Sequence, residues 1–304
     1  MPGNNLDLSI LKLPSPIQQL HSDFLTQHKI NLFIKRDDLI HQDISGNKWR
    51  KLKYNLLAAR QQKQNTLLTF GGAYSNHIHA TAAAGKYFNF KTIGIIRGEP
   101  YEKLNPTLQD ATNWDMQLEY ISRISYKQKH TKDFITQLKQ QFGDFYLIPE
   151  GGNNELGVRG CREIIDEIED DFDTICIDCG TGATMAGLIT ALNNRLPVLG
   201  FAVLKGAGFL TRDIEAHIKN HSSKKINNWS LNLDYHFGGF AKTSDELFKF
   251  IQLFNIDYKI QLDPVYTGKL FFGLFDLIKQ GFFKNNSRIL VIHTGGLQGL
   301  RGFK

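Results

Sequence analysis

The 304-residue chain is 41% hydrophobic and 22% charged, the balance of a soluble globular protein, and its length suits two domains or one large α/β domain with an inserted lobe. No apolar stretch approaches a membrane span, and Met1-Pro2-Gly3-Asn4-Asn5 lacks the basic start and apolar run of a secretory leader, which predicts a cytoplasmic protein. The net charge of +6 is interleaved with acidic residues, so it favours anionic small molecules over nucleic acid.

Residues 7–31 read as an irregular lead-in, because Pro14 and Pro16 exclude a regular helix there. The apolar run Leu32-Phe33-Ile34 ends in Lys35-Arg36-Asp37-Asp38, and beyond it lies Ser45-Gly46-Asn47-Lys48-Trp49-Arg50-Lys51-Leu52-Lys53-Tyr54. A lysine after a turn and just inside a helix can have its ammonium desolvated and crowded by cations, here Arg50, Lys51 and Lys53. Both effects lower its pKa toward neutrality and equip Lys48 to form a Schiff base. Alone, such a basic cluster is ordinarily a solvated helix face.

Apolar runs of strand length then recur at 66–70, 92–96, 118–121, 145–148, 174–177, 198–203 and 288–292. Helical patterns lie between them, at 132–141, 162–169, 185–193 and 244–254. Continuous apolar strands alternating with helices predict an α/β fold of two open, twisted, mostly parallel sheets with helices on both faces. The four runs within 66–148 form a compact unit, so residues 49–162 are expected as a smaller inserted domain and residues 1–48 with 163–304 as the large one. Residues 219–228 are the most polar loop. Cys176-Ile177-Asp178-Cys179 has redox-motif spacing but ends a strand instead of opening a helix, which predicts buried structural thiols; no second ligand pair for zinc is found.

Two loops follow such strands and open helices, a third stretch opens a helix, and a fourth follows the last strand. Gly180-Thr181-Gly182-Ala183-Thr184 lets backbone amides converge on an anion at a helix N-terminus, yet lacks both the nucleoside-triphosphate ending and the third glycine of the dinucleotide fingerprint. Gly71-Gly72-Ala73-Tyr74-Ser75-Asn76-His77 sets Ser75 and Asn76 where a carboxylate can be held. His77 and His79 point to different helix faces and make a poor metal pair; His79 is expected to be structural. Asp263-Pro264-Val265-Tyr266-Thr267-Gly268-Lys269 puts Tyr266 at a helix start, as acid, orienter or packed side chain. In His293-Thr294-Gly295-Gly296, Thr294 is either a donor to a ring nitrogen or an ordinary N-cap.

Taken together and in this order, these motifs resemble the 1-aminocyclopropane-1-carboxylate deaminase and D-cysteine desulfhydrase family, of the tryptophan-synthase-β-like, fold type II pyridoxal-phosphate enzymes. The match runs from residue 32 to residue 296. The resemblance implies that Lys48 carries pyridoxal 5'-phosphate as a Schiff base and that Asn76 binds its phenolic oxygen. It implies that Lys51 and Gly180, Thr181, Gly182, Ala183 and Thr184 hold the phosphate. Ser75, Asn76 and His77 are implied around the substrate carboxylate, Lys48, Ser75 and Tyr266 at the chemistry, and a homodimer as the assembly.

Deaminases of the family are similar to Tyr-Glu-Gly-Lys and His-Leu-Gly-Gly where this chain has Thr267 and Thr294, and the desulfhydrase branch has hydroxyls at both. A carboxylate beside the pyridine nitrogen keeps it protonated and strengthens the electron sink, whereas a hydroxyl favours the neutral ring. Opening a cyclopropane has no thiolate leaving group and needs the stronger sink. The reading is therefore β-elimination from a small amino acid, D-cysteine first, giving pyruvate, sulfide and ammonia. The alternatives are the cyclopropane deaminase, elimination from β-chloro-D-alanine or D-serine, a racemase, and a non-catalytic pyridoxal-phosphate carrier.

Overall fold

The computed structural model describes residues 6–100 and 102–303; Met1-Pro2-Gly3-Asn4-Asn5 lies outside them. The strands are β1 Ile17–Leu20, β2 Asn31–Lys35, β3 Thr66–Gly71, β4 Lys91–Arg97, β5 Met116–Ile121, β6 Tyr146–Ile148, β7 Thr174–Cys179, β8 Val198–Ala202, β9 Trp229–Asn232 and β10 Arg288–Ile292. The helices are α1 Asp23–Gln27, α2 Asn47–Gln61, α3 Asn76–Phe88, α4 Pro106–Asn113, α5 Arg123–Tyr126, α6 Lys132–Phe142, α7 Glu155–Asp166, α8 Ala183–Leu192, α9 Phe209–His221, α10 Asp245–Tyr258 and α11 Thr267–Lys279.

One sheet has the order β1-β2-β10-β7-β8-β9 and the other β5-β4-β3-β6. Every pairing is parallel except that of β1 with β2. Alternation along β10 explains its continuous apolar run. Leu290 and Ile292 enter one core with Ile175, Ile177 and Leu188, while Ile289 and Val291 enter another with Leu262, Leu270 and Phe271. Both faces are buried, as a parallel sheet requires.

Two elements fall inside the lead-in that was expected to be irregular. Ile17–Leu20 pairs as the antiparallel edge, and Ser22 caps α1 by accepting the Leu25 amide. The helix expected at 162–169 begins earlier, at Glu155, after the Asn154 cap. Its glycines hid it: a Cβ on Gly160 would sit 1.9 Å from the Arg50 carbonyl oxygen, and one on Gly187 of α8 would sit 2.6 Å from Cys161 Cβ. These close approaches stack α2, α7 and α8 side by side. The expected crossings at 48/49 and 162/163 fall within α2 and α7. Part of the polar stretch 219–228 is helical, since α9 runs to His221, and Asn194 Oδ1 accepts the Asn227 and Asn228 amides of the remainder.

A buried ionic network ties the lysine helix to both neighbours. Arg50 Nη2 reaches Asp37 Oδ1 at 3.0 Å and Glu167 Oε2 at 2.8 Å, and Lys35 Nζ reaches the same Glu167 oxygen at 2.8 Å. Cys161, Cys176 and Cys179 are free and buried, and burial pushes the Cys179 thiol up to about 12. No helix among the described residues is long and apolar enough to cross a membrane.

Candidate active site

The stack of α2 on α7 on α8 brings the N-terminus of the lysine helix beside the N-terminus of α8 and its anion loop. Gly46, at φ +63, precedes α2 and leaves room for the Thr294 carbonyl oxygen, which accepts the Asn47 amide at 3.2 Å. Asn47 Nδ2 donates to Thr184 Oγ1 at 3.2 Å, and Lys51 Nζ lies 3.3 Å from Thr181 Oγ1. Two residues of the lysine helix thus touch both hydroxyls of the loop.

Lys48 Nζ donates to Asn47 Oδ1 at 2.7 Å. Burial first, and then the Lys51 ammonium, pull the Lys48 pKa down to about 7, against the opposing pull of Asp178, Cys161 and Asp263. Of the cations expected around it, only Lys51 acts. Arg50 is spent on Asp37 and Glu167, and Lys53 Nζ pairs with Glu163 Oε1 at 2.7 Å.

The loop turns sharply at Gly182, φ +84, and delivers Ala183 as the first residue of α8, whose first amides have no carbonyl within the helix to meet. Ser75 caps α3, its Oγ accepting the His77 and Ile78 amides, and its own proton meets no acceptor among the described residues. Asn76 Oδ1 accepts from Gln298 Nε2, and its Nδ2 lies close to Gly296. His77 is turned inward. Its Nε2 donates to Thr69 Oγ1 at 2.9 Å, whose own proton goes to the Ile148 carbonyl at 2.8 Å. Burial, Lys48 and Lys51 together hold the His77 ring neutral. His79, also buried, lies between the Asp43 carbonyl and Asp110.

Tyr266 immediately precedes α11, and a Cβ on Gly180 would sit 3.1 Å from its Cε1, so the phenol ring lies against the start of the anion loop. Burial and the nearby Asp263 and Asp178 carboxylates push its pKa upward, keeping the phenol protonated. Asp263 caps this turn by accepting the amides of Val265, Tyr266 and Thr267. Thr267 is part of the same cap: its hydroxyl donates to Asp263 Oδ2 at 2.8 Å and accepts the Asp263 amide at 2.9 Å. Thr294 Oγ1 donates to Asp178 Oδ1 at 2.5 Å.

Sequence reasoning passed over Asp178, Asp263 and Gln298. Asp178 left one trace, as the acidic interruption of an apolar strand, and Asp263 stood in the quoted Tyr266 motif without a role.

A model of the pyridoxal-phosphate dependent enzyme family matches residues 9–295. The chain belongs to that family. A Pyrococcus horikoshii protein provisionally named as a 1-aminocyclopropane-1-carboxylate deaminase is 32% identical over 303 residues, covering 96% of this chain and 92% of the relative. A solved 1-aminocyclopropane-1-carboxylate deaminase homologue superposes with a TM-score of 0.84 at 30% identity, over 96% of this chain and 92% of that one. The processed threonine deaminase isoform 2 of Solanum lycopersicum shares the fold, with a TM-score of 0.68 at 16% identity over 98% of this chain and 89% of that one.

The cofactor of the pyridoxal-phosphate dependent enzymes fits the residues present. Its aldehyde needs an amine that is neutral near physiological pH, and Lys48 is one. Its phosphate needs converging amides and a cation, and the Gly182 turn, the Thr181 and Thr184 hydroxyls and Lys51 supply them.

Proposed function

We propose that this chain is a lyase that removes the β-substituent of a small amino acid, with D-cysteine the first candidate and pyruvate, sulfide and ammonia the products. In this reading Lys48 holds the cofactor, Lys51 and Gly180 to Thr184 its phosphate, Asn76 its phenolic oxygen and Thr294, not the fully bonded Thr267, its ring nitrogen. The observation that supports it most directly is the clustering of a desolvated Lys48 amine with an anion loop and a protonated Tyr266 phenol.

Bound pyridoxal phosphate supplies an electron-withdrawing ring that stabilises negative charge at the substrate α-carbon. Ser75, through its hydroxyl proton, and the Asn76 amide face the substrate carboxylate, and His77 anchors that turn through Thr69. Lys48 Nζ, its pKa drawn down to about 7, accepts the α-proton in its neutral form. Tyr266 keeps its proton and donates toward the departing substituent. Thr294, the residue assigned to the ring nitrogen, brings a hydroxyl and no carboxylate of its own, which suits a leaving group as good as a thiolate. The proposal includes a homodimer in the cytoplasm; light scattering of the holoenzyme checks the first.

The test is a screen of the purified holoenzyme against D- and L-amino acids for sulfide and 2-oxo acid. Sulfide and pyruvate from D-cysteine, lost in Lys48→Ala, are expected; their absence in the parent contradicts the proposal. A second reading, deamination of 1-aminocyclopropane-1-carboxylate, is favoured by the names of the relatives near 30% identity. Formation of 2-oxobutanoate from that amino acid identifies it.

A further inference from the structure

One charge in the site has no part in these roles. Asp178 is the penultimate residue of β7, in a strand whose other members from Ile175 to Cys179 are apolar and at most 1% exposed. A carboxylate is costly to bury there without compensation. Asp178 is 5% exposed, accepts the Thr294 hydroxyl at its Oδ1, and at its Oδ2 accepts no hydrogen bond among the described residues. Asp263, Lys48, Lys51, His293 and Tyr266 face it. Burial and Asp263 push its pKa up to about 6, while Thr294, Lys48 and His293 oppose them, so it is charged at pH 8.

A hydroxyl has one proton to give. With that proton directed at Asp178, Thr294 meets any further polar partner as an acceptor, and a pyridine nitrogen opposite an acceptor bonds to it only when protonated. The Asp178 charge, one hydrogen-bonded group away in a buried site, favours that proton electrostatically.

We propose that Asp178 is a positioning residue that acts through Thr294 to keep the ring nitrogen of bound pyridoxal phosphate protonated. This rests on the assignment of Thr294 to the ring nitrogen made above. It gives the chain a strong electron sink that hydroxyls at 267 and 294 alone do not supply. The substrate class then widens from amino acids with a good β leaving group to those without one, a cyclopropane amino acid among them.

The test is the nitrogen NMR shift of holoenzyme reconstituted with pyridoxal phosphate isotopically labelled at the ring nitrogen, in the parent, Asp178→Asn, Asp178→Ala and Thr294→Val. The parent is expected to carry a protonated ring nitrogen at pH 8. In Asp178→Asn, which removes the unit charge, the ratio of protonated to free nitrogen is expected to fall on the order of a hundredfold at an effective dielectric of about 20, and in Thr294→Val, which removes the bridging hydroxyl and keeps the charge, it is expected to fall by less. A free ring nitrogen in the parent overturns the proposal, and that measurement needs no variant to fold. An unchanged shift in both Asp178 variants beside a changed one in Thr294→Val overturns the role of Asp178 and leaves the Thr294 assignment standing. An unchanged shift in Thr294→Val removes the assignment itself and the inference with it.

Discussion

The Thr294 carbonyl oxygen accepts the Asn47 amide at 3.2 Å, so the loop after the last strand of the large sheet rests on the first turn of the lysine helix. A Cβ on Gly46 would sit 1.9 Å from that carbonyl oxygen, at a φ of +63 that side chains resist. Gly46→Ala is expected to force loop and helix apart and to destabilise the protein by at least about 2 kcal/mol. Chemical denaturation, with cofactor uptake followed by absorbance, checks this; an unchanged midpoint and full uptake contradict it.

Glu167 accepts from Arg50 and Lys35, and those partners outweigh burial and pull its pKa down to about 2. The sign follows from a folded value below the unfolded one: the contribution is complete above the unfolded value near 4.5 and is lost as pH falls through about 2. Its upper bound is about 3 kcal/mol, and solvent screening at this half-buried carboxylate lowers it. Glu167→Gln leaves two buried cations underpaired and is expected to cost roughly 3–5 kcal/mol at neutral pH, with a shallower acid dependence below pH 4.5 than the parent. Urea unfolding from pH 2 to 7 reads both.

Only a neutral amine attacks an aldehyde, and Lys48 loses its proton at about 7. Capture of pyridoxal phosphate by the apoprotein is expected to rise with pH through about 7 and then level off. At neutral pH it should be about a thousandfold faster than an ordinary lysine allows. Because the Lys51 ammonium is one cause of the shift, Lys51→Met is expected to move the inflection upward. Stopped-flow absorbance across pH 5.5 to 9.5 decides; a rate still climbing at pH 9.5 contradicts the desolvated lysine.

Lys51 adds a charge to the anion loop through Thr181. Lys51→Ala is expected to weaken pyridoxal phosphate binding by roughly tenfold to a hundredfold, the scale of one charge-assisted hydrogen bond. Equilibrium binding of pyridoxal, which has no phosphate, should fall much less. Equal losses for both ligands would place Lys51 away from the phosphate.

What the sequence displayed, and what it hid, follows from how each residue is buried. The central strands were legible because β10 and its neighbours send alternate apolar side chains into two cores. Ile17–Leu20 and Trp229–Asn232 were not, since they are short edge strands carrying Gln18, Gln19 and Ser230. Lys48, Lys51 and the glycine loop stood out as local motifs. The pairing of Thr294 with Asp178 did not, because it joins positions 116 residues apart that meet only when β10 and β7 lie side by side. Arg50 and Lys53 looked like part of a cationic cluster until the fold gave each its own carboxylate.

The most direct test of the site is where the cofactor becomes attached. Apoprotein is reconstituted with pyridoxal phosphate, reduced with borohydride to fix any imine, digested, and mapped by mass spectrometry. A single pyridoxyl adduct on the peptide containing Lys48, absent from Lys48→Ala, is the predicted result. An adduct on another lysine, or none on a protein that has bound the cofactor, contradicts the account.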